Sequence, residues 1–481
     1  MTVRHVELRP GTYRDSVRLM QVSDQLRRVP GVTAALVAMA TPLNVDLAES
    51  MGFARPARTA ADDLLVAVAA TDPPAVSAAL DALAALLAEP PPQVGTQLPG
   101  VAPRTVGSAV RRSGANLVLV STPGRYAFLD AMDALDAGAS VMLFSDNVPV
   151  GQEVRLKEVA AARGLLVLGP DCGTAVVGGV GLGFANVVRP GPVGLVAASG
   201  TGAQQVMTLL DAAGVGVSHC LGVGGRDLSE TVAGRSTLAA LDALDADEDT
   251  GLIVLVSKPP AAAVATAVQA HAAALRTPVV LGLLGTAAGD LTAVVEQVLR
   301  RLGRPVPEWP AWHPASPVAP RAGCLRGLFA GGTLCAEALA VAVAGLGEVR
   351  SNLSGAGGRD GHYLLDLGAD ELTEGRPHPM IDGSGRLARL AAEVGDVSCG
   401  VVLLDVVLGH GAHPDPAADL APALSAAREQ GVAAVVSLVG TTGDPQGLDG
   451  QAKVLCDAGA AVFASNAAAA RHAVRLVGGG Q

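Results

Sequence analysis

The loop Ser199-Gly200-Thr201-Gly202 has the residue types and position of an anion-binding turn. It follows the apolar run Val193–Ala197 and leads directly into a stretch with helical composition. Free N–H groups and the helix dipole converge at such a start, and glycines let a phosphate approach the backbone closely. The alternative is an ordinary strand-to-helix turn in which Ser or Thr caps the helix.

A second glycine-rich loop, Gly224-Gly225-Arg226-Asp227, follows the strand predicted at 217–221. Adjacent glycines can form a nest of N–H groups, and Arg226 beside them can bind a carboxylate or phosphate through two parallel hydrogen bonds. The alternative is a local Arg–Asp turn at the surface. Lys258 also ends a predicted strand, where its charge would face the ligand crevice.

Two further segments carry candidate binding residues. The segment from Gly11 through Tyr13 to Ser16 precedes the first predicted helix, where it either caps that helix or meets a nucleotide phosphate. Near the C-terminal third, a proline-rich stretch holds Arg376 and His378 on a stiff loop with Asp382, a surface suited to gripping a substrate carboxylate.

The cysteines and loop histidines favour structural roles. Cys172 lies in a tight turn with no obvious base nearby, so a buried structural thiol is favoured over a nucleophile. His410 and His413 follow a buried strand with aspartates nearby, but they lack a defined third ligand, so no metal is assigned. The six cysteines contain no Cys-x-x-Cys pair, which excludes a typical zinc site or disulfide framework.

The elements that must position these loops are buried strands alternating with Ala-rich helices. Continuous rather than alternating apolar runs indicate strands covered on both faces, as in parallel sheets. The predicted strands lie at 32–39, 117–121, 140–144, 165–168, 193–197, 253–256, 279–283, 401–404, 434–437 and 461–463. The fold class is therefore α/β, in three doubly wound units with ligands at the carboxyl ends of the strands.

Length and proline content suggest the domain boundaries. We expect a Rossmann-like domain at 1–190 with a proline-rich crossing at 89–103, a flavodoxin-like domain at 191–302, a proline-rich linker at 303–320 and a second flavodoxin-like domain at 321–481. Both tryptophans fall in the linker, so we expect it to be pinned against its neighbours.

The composition limits the kinds of partner that this protein is expected to bind. The formal net charge is −11, and no Lys/Arg cluster stands out, which argues against nucleic-acid binding. The N-terminus has no apolar signal core, and the longest apolar run, 338–347, is about half the roughly 20 residues a membrane span needs. We therefore expect a cytoplasmic protein with a small anionic substrate and no membrane contact.

The order of the loops resembles a known family. Gly-Pro-Asp-Cys-Gly at 169–173, the Ser-Gly-Thr-Gly loop and Gly-Val-Gly-Gly-Arg-Asp at 222–227 are similar to segments of the succinyl-CoA synthetase α-subunit. The chain resembles the FdrA family more closely, through 144–148, 256–260 and 375–382. This resemblance implies a CoA-binding-type first domain and two CoA-ligase-type domains, the last similar to the end of the synthetase β-subunit.

The resemblance also implies an activity, and this sequence departs from the synthetase pattern in two ways. Synthetases of this class carry a phosphorylated histidine in a stretch that corresponds to 278–290, which has no histidine here, and the chain has no room for an ATP-grasp domain. The FdrA family is associated with oxamate carbamoyltransferase, a multi-subunit enzyme. The first expectation is therefore a carbamoyltransferase subunit that holds carbamoyl phosphate and phosphate directly.

In that reading Ser199, Thr201 and the Gly224–Gly225 loop bind phosphate, while Arg226, Arg376 or His378 bind the substrate carboxylate. One alternative is an acyl-CoA synthetase subunit that needs a separate ATP-grasp partner, and another is a non-catalytic CoA- or nucleotide-binding scaffold. No cofactor is assigned, CoA or an acyl phosphate being the expected ligand. Other subunits of a hetero-oligomer, and further copies of this chain, are the expected partners.

Overall fold

A computed structural model of the chain describes residues 2–12, 14, 16–60, 63–88, 103–284, 289–354, 360–373 and 378–478. The chain forms two compact units, one containing Met1–Pro103 and Glu371–Asp382, the other Arg104–Asp370 and Gly383–Gln481. Most of the expected proline-rich crossing at 89–103 lies outside the described residues. In the described part of the chain, no helix is long and apolar enough to cross a membrane.

The first unit is built on an antiparallel sheet of order β1-β3-β2. Its elements are β1 (Val3–Arg9), α1 (Ser16–Arg27), β2 (Val32–Met39), α2 (Pro42–Ser50), β3 (Leu64–Ala70) and α3 (Pro73–Ala88). Residues 1–190 therefore do not form one doubly wound domain, which corrects the expected boundary. The apolar run of β2 predicted a strand but not its direction, because a strand of an antiparallel sheet covered on both faces is just as apolar as a parallel one.

The second unit begins with a three-stranded parallel sheet of order β4-β5-β6, the Rossmann-like part of the chain. Its elements are α4 (Val106–Ser113), β4 (Leu117–Val120), α5 (Gly124–Asp136), β5 (Ser140–Leu143), α6 (Val150–Ala162) and β6 (Val167–Leu168). The predicted α/β class with parallel sheets is confirmed here and in the two larger sheets that follow.

A six-stranded sheet has the order β12-β11-β9-β10-β7-β8. Its strands are β7 (Thr174–Val177), β8 (Val180–Gly183), β9 (Pro190–Ala197), β10 (Val217–Gly222), β11 (Leu252–Ser257) and β12 (Val279–Leu283). The first four strands of that order are parallel, and β7 and β8 are antiparallel additions. The helices are α7 (Gly200–Ala212), α8 (Arg235–Ala246), α9 (Ala262–Ala274) and α10 (Leu291–Arg301).

A seven-stranded sheet has the order β13-β19-β18-β17-β14-β16-β15, with β14 near its centre and only β13 antiparallel. Its strands are β13 (Ala311–Trp312), β14 (Cys324–Phe329), β15 (Val349–Ser351), β16 (His362–Asp366), β17 (Cys399–Val407), β18 (Ala433–Val439) and β19 (Ala460–Phe463). The helices are α11 (Gly332–Leu346), α13 (Ser384–Gly395), α14 (Pro416–Glu429), α15 (Leu448–Asp457) and α16 (Asn466–Gly478), with a 3-10 turn at Asn352–Ser354. The short helix α12 (Asp370–Thr373) lies in the first unit from Glu371 onward.

The proline-rich segment at 303–320 is held against both larger sheets. Trp309 donates its indole N–H to Glu296 Oε1 of α10 at 3.3 Å. Trp312 forms strand β13 opposite Val462 and packs on the core of the seven-stranded sheet. The tryptophans therefore tie the segment down, as the sequence suggested.

Candidate functional site

Two helices of the second unit begin where central parallel strands end. α7 follows β9, which lies between β11 and β10, and α11 follows β14, which lies between β17 and β16. Chains leave parallel strands at the same edge, and the crevice outside that edge is where open α/β sheets bind ligands. Each of these strands therefore delivers a glycine-rich turn and a helix start to the expected place.

The α7 turn is capped by its own serine. Ser199 Oγ accepts the Gly202 N–H at 3.0 Å, and the Ser199 carbonyl accepts the Ala203 N–H at 3.2 Å. Among the described residues, the N–H groups of Gly200 and Thr201 have no hydrogen-bond partner. The cap uses the Gly202 N–H, whereas an anion would bind to the N–H groups of Gly200 and Thr201, so the two interpretations made from the sequence are compatible and the anion-binding role stays a prediction.

The α11 turn, Gly331-Gly332-Thr333, was not singled out in the sequence. Its N-cap Gly331 makes no side-chain cap, and within the described chain the N–H groups of Gly332 and Thr333 lack acceptors. A sequence signal existed, because the buried strand β14 runs into Gly-Gly-Thr and then an Ala/Leu-rich helix. This is the same pattern that marked the α7 turn.

The two turns touch each other. Ser199 Oγ donates to Thr333 Oγ1 at 2.5 Å, and a Cβ atom added to Gly331 would lie 2.7 Å from Thr201 Oγ1. Two helix N-termini facing each other bring partial positive charges together, and an anion bound between them would offset their repulsion. We call this place, formed by Ser199–Gly202 and Gly331–Thr333, the two-helix site.

A lysine stands beside the two-helix site. Lys258 follows β11 and is half-buried. A Cβ atom added to Gly332 would lie 2.8 Å from Lys258 Nζ and 2.4 Å from Asp366 Oδ2, so both side chains lie against the first residue of α11. Among the described residues, no acceptor within ion-pair distance of Lys258 Nζ is found. The cation expected at this strand end therefore lies at the start of α11, where a ligand would also meet the Asp366 carboxylate.

The Gly224–Arg226 loop is tied to a different part of the unit. Arg226 donates to the Val148 carbonyl at 2.7 Å, and its Nη2 lies 3.0 Å from Glu153 Oε2. The Glu153 side chain is 1% exposed, whereas that of Arg226 is 47% exposed. Arg226 therefore already neutralises a buried carboxylate, and its expected role with a substrate anion stays a prediction.

Behind that loop lies a buried charge cluster that the sequence did not indicate. Lys157 Nζ binds Glu153 Oε1 at 2.8 Å and Asp227 Oδ1 at 2.7 Å. Asp227 also accepts the N–H groups of Ser236 and Thr237, at 3.1 and 2.8 Å, and so caps α8. Asp227 is therefore a structural residue, fully buried rather than part of a surface turn. Its partners are 9 to 70 residues away in the chain.

The remaining sequence candidates lie elsewhere. Gly11, at the end of β1, and His378 belong to the first unit, and Ser16 begins α1 there. His378 Nδ1 accepts the Met380 N–H at 3.2 Å, and Asp382 pairs with Arg27 of α1 at 2.8 Å. Tyr13 and Arg376 lie outside the described residues. The binding roles expected for these residues stay predictions.

Cys172 and His413 are structural. Cys172 is buried, and burial raises the pKa of its thiol far above the ordinary value. His413 is buried, accepts the Asp415 N–H at Nδ1 and lies 3.2 Å from Asp419 through Nε2, while His410 is exposed. Over the described ranges, no group of three or more His, Cys, Asp or Glu side chains is arranged to hold a metal ion.

Comparison with known proteins agrees with this architecture. Residues 1–99 match a family described as "AllF, heavy metal-associated domain", and residues 328–476 match the family described as CoA-ligase. The chain is 36% identical over 506 aligned positions to the protein YahF of Escherichia coli (strain K12), covering 97% of each. The chain belongs to the FdrA-like family. The expected relation to succinyl-CoA synthetase is also confirmed.

The synthetase relatives match only part of the chain. The succinate–CoA ligase [ADP-forming] subunit alpha 2 of Archaeoglobus fulgidus is 29% identical over 158 residues, 32% of this chain and 54% of the relative. This FdrA-like chain thus spans about half the length of the ligase relative. ATP citrate lyase from Methanothrix soehngenii, solved with citrate and coenzyme A, aligns with a TM-score of 0.33 at 18% identity, over 42% of this chain and 37% of that one.

The residues of the first unit do not fit a heavy metal. Soft metals in such domains need thiolate or imidazole ligands. Residues 1–99 contain no cysteine, the first in the chain being Cys172, and their only histidine is His5. Its ring lies 3.2 Å from Glu7 Oε2. Residues 1–99 therefore match the family model without any cysteine and with a single histidine.

Proposed function

We propose that this chain is the acyl-transferring subunit of a CoA-ligase-type enzyme, in which the two-helix site holds the phosphoryl group of an acyl phosphate while CoA attacks the acyl carbon. The observation that carries the proposal is the meeting of two helix starts with unpartnered N–H groups beside Lys258. The CoA-ligase match and the ligase relatives support it.

The chemistry needs what these groups offer. The CoA thiolate forms a C–S bond to the acyl carbon, the C–O bond to phosphate breaks, and phosphate leaves with its negative charge. N–H groups and an ammonium that already point at the phosphate stabilise that charge without reorganising. An acyl phosphate brought to this site needs no histidine in the stretch 278–290 of this chain.

The phosphoryl group must come from elsewhere. We propose that a separate ATP-grasp subunit forms the acyl phosphate, and that this protein acts as one subunit of a hetero-oligomer. Carbamoyl phosphate belongs to the same class of mixed anhydrides. The carbamoyltransferase reading therefore uses the same two-helix site with oxamate as acceptor, but the ligase relatives favour CoA.

Gly332→Ala tests the site directly. The new Cβ would displace the Lys258 ammonium and meet Asp366, so we expect the dissociation constant of inorganic phosphate and of acetyl phosphate, measured by calorimetry, to rise at least about tenfold. Gly450→Ala is the matched control, because a Cβ on that helical glycine of α15 meets nothing within 4 Å. Equal binding by both variants would contradict the proposal.

Lys258→Met removes the charge alone. Loss of a charge-assisted hydrogen bond of about 1.5 to 3 kcal/mol predicts a roughly 10- to 100-fold weaker phosphate complex. Lys453→Met, on the exposed face of α15 where Lys453 pairs with Asp457, is the control and should bind phosphate like the wild type.

Turnover separates the candidate reactions. The wild-type chain is incubated with acetyl or succinyl phosphate and CoA, with carbamoyl phosphate and oxamate, and, with an ATP-grasp subunit, with labelled ATP and a carboxylate. We expect thioester and phosphate in the first arm. Carbamoylated oxamate instead would establish the transferase, and label on a histidine would establish a covalent relay. Ligand binding without turnover in any arm would indicate a non-catalytic binding scaffold.

A further inference from the structure

The start of α11 is held by a buried carboxylate from the neighbouring strand. Asp405 lies in β17, which is otherwise apolar, and is 0% exposed. Its Oδ1 accepts the Ala330 N–H at 2.8 Å and its Oδ2 accepts the Gly331 N–H at 2.7 Å. One rigid carboxylate thus fixes two consecutive peptide units at the turn that leads into Gly332.

A buried arginine completes this arrangement. Arg386 of α13 donates through Nη1 to Asp405 Oδ1 at 2.9 Å and to the Asp405 carbonyl at 2.7 Å. Its side chain is 6% exposed. A bare carboxylate next to an anion site would repel the ligand, but the guanidinium cancels that charge. The pair therefore supplies two acceptors to the turn with no net charge.

We infer that Asp405, neutralised by Arg386, is a positioning residue for the two-helix site: it aims the Gly332 and Thr333 N–H groups at the phosphoryl group and sets the gap between α11 and α7. The inference rests on the proposed function. Asp405 sets the distance between α11 and α7 because it holds Gly331, and Gly331 lies against Thr201 of α7.

The geometry favours this role over a purely stabilising ion pair. A buried pair is on its own weak evidence for stability, because desolvation offsets most of the attraction. Here both carboxylate oxygens are used on the two N–H groups just before the helix start. Ser437, the residue opposite Asp405 on β18, makes no side-chain hydrogen bond among the described residues and does not share the task.

The experiment compares phosphate affinity in the full-length chain. Asp405→Asn keeps one acceptor and loses the other, so we expect phosphate and acetyl phosphate to bind about 10- to 100-fold more weakly. In turnover, the KM for the acyl phosphate should rise while the KM for CoA stays unchanged. Asp211→Asn is the matched control, since Asp211 also accepts a backbone N–H and a guanidinium, both from Arg189, at the other end of α7. It should leave phosphate affinity within about twofold of the wild type.

A double variant keeps the test valid if Asp405→Asn does not fold. Asp405→Asn with Arg386→Met removes the unpaired buried cation, so the fold should recover while phosphate affinity stays weak. Recovery of wild-type affinity in the double variant, or equal affinity in Asp405→Asn and Asp211→Asn, would overturn the positioning role. Failure of the wild type to bind phosphate or acetyl phosphate at all would instead overturn the proposed function.

Discussion

Glu337 shows how one residue can make the stability of this protein depend on pH. It lies in the second turn of α11, and burial raises its pKa to about 7. Its Oε1 accepts the Leu291 N–H and its Oε2 accepts the Asn466 side-chain amide, both at 2.6 Å. These hydrogen bonds favour the carboxylate, but the cost of desolvation outweighs them. The side chain connects the starts of α10 and α16 to α11.

The sign of the pH effect follows from that pKa. Between the unfolded pKa near 4.5 and the folded value near 7, the folded state holds more protons, so the free energy of unfolding falls as pH rises, by up to about 3 kcal/mol. Glu337→Gln removes this contribution. Urea unfolding at pH 5, 6.5 and 8 should show the variant gaining on the wild type as pH rises.

The neighbouring amide lets the glutamine be accommodated. Asn466 Oδ1 makes no hydrogen bond in the described structure, so a flipped Asn466 amide can accept from the new side-chain N–H₂. The flip breaks the hydrogen bond from Asn466 Nδ2 to the Leu334 carbonyl, a loss that does not depend on pH. Glu348→Gln, at a side chain that is 84% exposed, is the control and should show no such trend. A stability difference between wild type and Glu337→Gln that does not change with pH would contradict the assignment.

At the residue scale, the sequence shows where a charged residue lies, and the structure shows which group it pairs with. A cation after a glycine pair was visible at Arg226, and a lone Asp in an apolar strand was visible at Asp405. Their partners were not, because Glu153 and Arg386 approach from other helices. Charge pairing across elements leaves no local pattern, so the sequence indicated where charged groups lie but not which of them are already neutralised.

At the scale of elements, the proposed function depends on the two helix starts. The predicted strands were found because burial on both faces leaves a continuous apolar run, and the α7 turn was found because its glycines follow such a run. The α11 turn carries the same sequence signal but was not predicted. Only the fold shows that this turn meets α7. Its Thr333 lies 134 residues from Ser199 in the chain.

Ser199→Ala separates capping from ligand binding. The variant loses the acceptor for the Gly202 N–H and the contact with Thr333, so we expect about 1 kcal/mol lower stability and several-fold weaker phosphate binding. Thr105→Ala removes the side-chain cap of α4, which accepts the Ser108 N–H. It should show a similar loss in thermal unfolding and wild-type phosphate affinity. If both variants bound phosphate with equal affinity, the role of Ser199 would be limited to capping α7.

At the scale of the whole molecule, the first unit departs most from expectation. Its sheet is antiparallel, and its family is described as heavy metal-associated, yet it lacks thiols. The resemblance to the FdrA family implied a CoA-binding-type domain for these residues. Local patterns predicted β2 but missed β1 and β3, and they did not give the order of the strands, because pairing is set by contacts between residues far apart.

The missing thiols predict the outcome of a metal titration. We expect no thiolate charge-transfer band at one equivalent of Cd²⁺ that can be assigned to the first unit, and no change in Zn²⁺ or Cu⁺ uptake on His5→Ala. Any band that appears should be lost on replacing the partly exposed Cys324 and Cys456 of the second unit by serine. Tight binding abolished by His5→Ala would contradict the prediction.

The sequence by itself determined the α/β class and the family, and it predicted an anion-binding role for the Ser199–Gly202 turn. These depend on local composition, on runs of apolar residues and on ordered motifs, all of which survive in one dimension. Only the tertiary structure decided that this turn contacts Gly331–Thr333, that Lys258 lies beside Gly332 while Arg226 pairs with Glu153, and that Asp405 holds the second turn. Each of these depends on residues brought together from distant parts of the chain, and no local pattern specifies such a meeting.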